Sequence, residues 1–376
     1  MSNTLTNLIP AAYQALDVVS RELVGLVSSV ALEPSSDRVA KGQTVYSPVA
    51  PVNTQGDITP AMTVTAASDQ TIGTKSLTID AYKVSGFNWT GEEAFSMDAG
   101  PGMVNLVRDQ IAQCLRVHVN AIELALATAG YQGGSRAYGT SATTPFASDL
   151  TAAAQIKKIL DDNGAPMNDR SLVLDTTAGA NIRALTQLTN VNQAGSDRTL
   201  RNGVLLPLVG FDVRESAQIV TATAGSGASY LINNGGGYAI GATSLTLDTG
   251  SGTILAGDVI TIGSYKYVVA TALAANVVVI AQPGLRAAVA DNATVTVSAT
   301  GARNLGFSRN AIRLATRLPK VVGGDMASDR QTITDPVSGI SFELAMYPGY
   351  RMVKYEVAIA YGSLVVKPEH IAVLLG

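Results

Sequence analysis

The chain has 376 residues, enough for roughly two to three domain-sized units, with only 15% charged and 47% hydrophobic side chains and a formal net charge of −3. A charged fraction well under the usual ~25% suits a protein that buries much of its surface against partners, and the acidic balance argues against nucleic-acid binding through a broad basic face. The single cysteine, Cys114, excludes an intrachain disulfide framework and a multi-thiolate metal site, and no stretch carries the ~20 unbroken apolar residues of a membrane-spanning helix.

The opening MSNTLTNLIPAAYQAL lacks the basic region of a secretory signal, so the chain is expected to stay in the cytosol where it is made. Residues 13–30 then set Leu16, Val19, Leu23, Leu26 and Val30 at alternating spacings of three and four, which predicts an amphipathic helix. Beyond it Pro34, Pro48 and Pro51 rule out a continued helix and favour an extended strap, so helix and strap together read as a piece docked on a neighbour.

From Ile58 to Val84 two β-rich runs, ITPAMTVTA and KSLTIDAYKV, flank the polar ASDQTIGT, and predict a long hairpin with arms of about 30 Å. A two-stranded ribbon needs something to lie on. Met103 to about Ala129 carries the strongest helical signal: Val104, Val107, Ile111, Leu115, His118, Ile122 and Leu126 form one stripe, and Leu106, Val117 and Leu124 a second. The expected helix is ~40 Å long and touches protein on two sides. Cys114 and His118 have metal-ligand spacing there, but His370 is the only other histidine and packing is the expected role.

Residues 150–223 alternate helical runs with short apolar strands, an α/β or α+β pattern. Between Gly225 and Thr300 charge becomes sparse, glycine dense, and SLTLD, DVITI, YKYVVA, NVVVI and ATVTV recur as strands of an expected small barrel or sandwich. Gly235-Gly236-Gly237 is expected to hinge the chain into that unit, which reads as an insertion in a parent domain. Near the end, Val353, Tyr355, Val357, Ile359 and Tyr361 alternate with Lys354, Glu356, Ala358 and Ala360, a strand with one buried face.

Catalytic signatures are missing. There is no GxxxxGK[ST], HExxH, CxxC or GxSxG, and the acidic doublets Glu92-Glu93 and Asp161-Asp162 read as loop or cap charges, because adjacent side chains diverge. No catalytic residue, cofactor or metal ligand is assigned, and the chain is not expected to be an enzyme.

The collinear order of GFNWTGEEAFSM, DDNGAPMNDRSLVLDTTAGANIRAL, TLRNGVLLPLVGFDVRES, GSGTILAGDVITIGSYKYVV, LGFSRNAIRLATRLP and DPVSGISFELAMYPGYRMVKYEVAIAYGSLVVKPEHIAVLL resembles the major capsid (coat) proteins of tailed bacteriophages. It looks most like the coat proteins of short-tailed Salmonella-phage type. The resemblance implies an α+β fold of the Hong Kong 97 type, with an N-terminal arm over 1–40, an extended β-hairpin loop over 41–95 and a peripheral domain with a long spine helix over 96–175. It further implies an axial domain in two parts, 176–224 and 301–335, interrupted by the small all-β domain at 225–300, and a C-terminal return to the peripheral domain over 336–376.

The function of the family is implied in the same way. Its members assemble as hexamers and pentamers into icosahedral procapsids and virions, usually with a scaffolding protein and a portal, and enclose double-stranded DNA without sequence-specific contact; decoration proteins are further partners. Assembly takes place in the host cytoplasm, and no membrane is involved. Candidate intersubunit contacts are Asp69, Lys75 and Lys83 in the hairpin and Leu16 and Leu23 in the arm. An encapsulin-like bacterial nanocompartment shell is the main alternative. A β-rich adhesin or carbohydrate-binding module would explain only 225–300, and an enzyme lacks a constellation.

Overall fold

The computed structural model describes residues 24–49, 60, 73–93, 102–190, 198–205, 207–335 and 338–376. Most of the helix expected over 13–30, with Leu16 and Leu23, lies outside the described residues, as do Asp69 and nearly all of the first hairpin arm. Described structure begins with a turn over residues 26–29 whose Leu26, Val27 and Val30 are buried.

The strands in chain order are β1 (Ala31–Val39), β2 (Thr44–Val49), β3 (Gly73–Thr78), β4 (Ala81–Thr90), β5 (Arg136–Tyr138), β6 (Arg170–Leu174), β7 (Asp212–Glu215) and β8 (Thr221–Ala222). Six more occupy the charge-poor segment: β9 (Tyr230–Ile232), β10 (Ser244–Asp248), β11 (Val259–Ile262), β12 (Tyr265–Ala274), β13 (Val277–Ile280) and β14 (Thr294–Val297). The last are β15 (Gly301–Ser308), β16 (Ile312–Pro319), β17 (Asp329–Thr334), β18 (Ser341–Gly349), β19 (Met352–Val365) and β20 (Ile371–Leu375). The α-helices among the described residues are α1 (Gly102–Gln132), α2 (Thr151–Asp162), α3 (Thr176–Ala184), α4 (Thr186–Thr189) and α5 (Arg198–Asn202).

One sheet is organised around β19. Along one edge it bonds β18 and then β16, and along the other it bonds β4 from Met352↔Thr90 to Tyr361↔Ala81. The strap predicted after residue 30 begins as a true strand: β1 adds in parallel to β16, with a register shift between Pro34 and Arg38 that suits a proline-bearing edge strand.

The hairpin differs from the expectation. β3 pairs with β2, from Thr44↔Thr78 to Val49↔Gly73, so the ribbon's partner arm comes from the strap. The run KSLTIDAYKV, read as one arm, breaks at Ile79-Asp80, and its second half continues into β4. The break has a physical cause. Ile79 is buried with Val39, Leu77, Ala315 and Ala360, while its N–H donates to the Gln43 carbonyl at 2.9 Å, so the chain turns where it meets its own sheet. It crosses β19 at Gly362, where a Cβ would stand 2.3 Å from the Thr78 carbonyl oxygen; only glycine permits that approach.

α1 has 31 residues and so extends about 46 Å. Val107, Ile111, Leu115, His118, Ile122 and Leu126 are buried as the first stripe requires, in a core shared with β15, β16, β18, β19 and β20. The second stripe diverges: Val117 and Leu124 are 58% and 47% exposed. Past the last residue of α1 the chain runs close under β19 and β20, where a Cβ on Gly133 would stand 2.6 Å from Val365 Cγ2 and one on Gly134 2.8 Å from Val373 Cγ2.

The second large sheet runs β11-β14-β9-β10-β13-β12-β5-β20-β15-β6-β7. Helices α2 and α3 cover its β6 side around Ile156, Leu160, Leu172, Leu174 and Ile182. The side chain of Asp175 caps α3 by accepting from the N–H groups of Thr177 and Ala178. The five runs singled out between 225 and 300 all form strands, with their own core of Tyr230, Ile232, Leu245, Leu247, Ile260, Tyr267 and Val278. These strands are nonetheless stitched to the rest of the sheet. β12 pairs with β5 at Lys266↔Ala137 and Tyr267↔Arg136, and Val259 and Val268 belong to the main core. Gly235-Gly236-Gly237 is no hinge into the unit, because β9 precedes it. The triplet turns the chain within the unit, where Gly237 takes φ +66° and Asn234 Oδ1 accepts the Gly236 N–H. The junction is at Gly225, whose N–H donates to the Asp258 carboxylate at 3.1 Å.

Candidate functional site

The titratable groups singled out in the sequence are absorbed by the fold. Cys114 is buried in the main core, and His118, 2% exposed, donates from Nε2 to the Val357 carbonyl at 2.9 Å. Burial pushes its imidazole below the usual range. Glu93 and Thr90 form a capping box: Glu93 accepts from the Thr90 N–H and hydroxyl, and the Glu93 N–H donates back to Thr90 Oγ1. Asp161 bonds Lys157 and Arg170 at 2.6 Å each, and Asp162 pairs with Arg136 at 3.2 Å. Among the described residues no group of three or more His, Cys, Asp or Glu could hold a metal ion.

What remains to act is surface. The β2–β3 ribbon is anchored at its base, where Val45 and Leu77 reach the cluster of Val39, Ile79, Ala315 and Ala360, and further out through the Lys75 side chain. Tyr46, further out, is 68% exposed. Of the candidate contact residues, Lys75 is half-buried and its Nζ donates to the Val366 carbonyl of its own subunit at 2.5 Å. Lys83 stands exposed on β4, opposite Ile359. The two therefore do not converge on one site.

Beside Lys83 lies a groove of about 440 Å³ between β4 and the loop joining β16 to β17. Its floor is an ion-pair chain: Arg38 meets Glu343, Glu343 meets Arg330 at 3.2 Å, and Arg330 meets Asp325. The hydroxyl of Tyr347 also donates to Asp325. Above it the loop holds Val322 and Met326 almost fully in solvent, and β4 adds Val84. Together with Val117 and Leu124 on α1, these are apolar side chains with none of the described residues over them.

A buried carboxylate ties the arm to this body. Glu123, on the apolar side of α1 and 1% exposed, accepts from the N–H groups of Leu26 (3.1 Å) and Val27 (2.6 Å) and from the Ser216 hydroxyl (2.6 Å). Burial raises its pKa, against the lowering effect of those hydrogen bonds. Sequence reading passed over it, although a lone glutamate four residues beyond Val119 and beside Ile122 on an otherwise apolar face was a usable signal.

No family model matches the chain, and no curated protein matches it. Solved structures do. The capsid of the cyanophage P-SCSP1u shares 12% identity at a TM-score of 0.50, over 92% of this chain and 86% of that one. A structure of Mycobacterium phage Che8 shares 13% identity at 0.46 (89% and 85%), and one of Gordonia phage Cozz 11% at 0.47 (93% and 86%). The cyanophage match extends along nearly the whole chain and defines the fold as that of a phage capsid subunit.

Proposed function

We propose that this chain is the major capsid protein of a tailed double-stranded DNA bacteriophage. The observation that carries the reading is the fold shared with the cyanophage capsid across 92% of the chain. The unpartnered surfaces support it. A two-stranded ribbon with few anchors on its own chain is marginal in water, and the exposed Val117 and Leu124 on a 31-residue helix have little use in a monomer. Obligate interfaces resemble a domain core cut in half, which also accounts for the low charge fraction.

In this reading α1 is the spine helix of the peripheral domain, β2 and β3 form the base of the extended loop, and β9–β14 are an inserted domain of the short-tailed Salmonella-phage kind. Subunits assemble as hexamers and pentamers in the host cytoplasm, around a scaffolding protein and a portal, into an icosahedral virion shell. The enclosed DNA is held without base-specific contact, which a net charge of −3 suits because the wall does not trap phosphates driven past it. Electron microscopy of the purified chain, alone and with scaffolding protein, tests this. Closed icosahedral shells are expected, and monomers at every concentration would overturn it. Particles from infected cells that hold cargo protein and no DNA would favour the nanocompartment reading.

A further inference from the structure

Where the β9–β14 unit meets its parent domain there is a second cleft, of about 560 Å³, which the shell reading does not use. Its charged residues come from separate parts of the chain. Arg136 lies on β5, Lys158 and Asp162 on α2, Lys266 on β12 and Arg286 on the loop after β13. Four cations face one carboxylate, a surplus of three positive charges on a chain whose net charge is −3.

The only carboxylate is already engaged. Asp162 takes Arg136 at 3.2 Å and Arg286 at 3.7 Å. Lys266 donates to the Gly139 carbonyl and has no ion pair among the described residues, and burial lowers its pKa. Lys158 stands exposed, with no ion pair among the described residues. The Arg136 side chain is 5% exposed, and its Nε has no hydrogen-bond partner among the described residues. Cations gathered around one cleft repel one another, and an incoming anion would relieve that repulsion.

The form of the cleft selects among anions. A nucleic-acid strand needs a groove with cations repeating along it, whereas these four cations come singly from separate elements around a cleft bounded by residues 137–140. Phosphate sites are commonly cradled by backbone N–H groups at a helix N-terminus, whereas α2 turns its C-terminal residues, Lys158 to Asp162, toward this cleft. Two guanidinium groups and two ammonium groups around a space large enough for several side chains, with Tyr265 in the lining to cover methylene groups, match the carboxylates of a run of glutamate and aspartate residues.

We infer that the cleft between β5, α2 and β12 is a docking site for an acidic peptide segment of a partner protein. An occupant bridging Lys158 of the parent to Arg286 of the inserted unit would clamp the two together. The site is complete in the unassembled chain and does not depend on shell formation.

The test titrates the purified, unassembled full chain with fluorescently labelled hexaglutamate, and in separate arms with a hexathymidylate strand and with inorganic tripolyphosphate. Saturable, salt-sensitive hexaglutamate binding is expected. Lys158→Glu and Arg286→Glu, both at exposed positions, should each weaken it about tenfold, and Lys158→Arg and Arg286→Lys should keep it within about twofold. Hexaglutamate should also protect Lys158 from acetylation, read by mass spectrometry on the unsubstituted chain, which needs no variant to fold. Absent binding, binding unchanged in the reversals, no protection, or tighter binding of the oligonucleotide or tripolyphosphate would each overturn the proposal. A chain that binds hexaglutamate yet never forms particles would remove the capsid reading and leave this one standing; shells without binding would do the reverse.

Discussion

The Glu123 carboxylate accepts the Val27 N–H at 2.6 Å, joining α1 to a segment 96 residues earlier in sequence. The same carboxylate takes the Leu26 N–H and the Ser216 hydroxyl, so one side chain fixes the start of the described arm, the helix and the segment after β7. No lysine or arginine partners it in an ion pair among the described residues. Glu123→Ala should lower unfolding free energy by about 1–3 kcal/mol for each buried donor left unpaired. Chemical denaturation measures this, and a change within error would show that the arm is held elsewhere.

The sign of its pH dependence is set by burial, which holds the folded-state pKa above the usual glutamate range. The folded chain then binds more protons than the unfolded chain, so this group's contribution to stability falls as pH rises from ~4.3 through the raised value. The difference in unfolding free energy between the natural chain and Glu123→Gln should shrink over that interval. A difference that grows with pH would mean the carboxylate is stabilised as the anion.

At the ribbon's base, the Thr78 carbonyl crosses β19 over Gly362 with no room for a side chain. The obstructing atoms are backbone, so no rotamer change can relieve them. Gly362→Ala should cost about 1–3 kcal/mol and loosen β3. Hydrogen exchange at the Ile79 N–H, which donates to the Gln43 carbonyl, is the local readout. Unchanged protection there would mean the crossing is softer than its geometry suggests.

Legibility in the sequence tracked the range of the interactions. The stripe of α1, the strand runs between 244 and 297 and the alternation of β19 are encoded by periodicity within a few residues, and each was readable. Pairing was not. Nothing local tells KSLT to take TVYSPV as its partner, or marks a proline-bearing strap as a strand parallel to β16, because those choices are made by surfaces brought together at the end of folding. The glycine triplet was misplaced for the same reason: glycine content signals a turn without saying on which side of β9 it falls. The basic cleft was invisible, since Arg136, Lys158, Lys266 and Arg286 are neighbours only once β12 has docked on β5.

That docking bears on the independence of residues 225–300. Six strands with a core of their own argue that the unit folds alone, while Val259 and Val268, buried in the main core, would be uncovered by excision. Expressed by itself, the unit should give a dispersed β-type NMR spectrum, with Val259→Thr and Val268→Thr improving its solubility. A collapsed spectrum in both forms would show that β5 is needed to complete it.

The ribbon separates stability from assembly through two of its residues. Tyr46 is 68% exposed and touches little of its own subunit, whereas Lys75 reaches back to the Val366 carbonyl. Tyr46→Glu should therefore leave the melting of the unassembled chain nearly unchanged, as most surface substitutions do, at within about 0.5 kcal/mol. It should still suppress particle formation, because in the proposed shell the ribbon lies on a neighbour and a charge at this position is repeated at every copy of that contact. Lys75→Glu should behave differently. It forfeits a charge-assisted hydrogen bond on its own subunit and should destabilise the unassembled chain by about 1 kcal/mol, allowing for partial exposure. Melting of unassembled chain beside assembly yield by light scattering reads both. If Tyr46→Glu assembles normally, the ribbon does not contact a neighbour at that position; if it melts early, Tyr46 packs on its own subunit and the intersubunit reading of the ribbon fails.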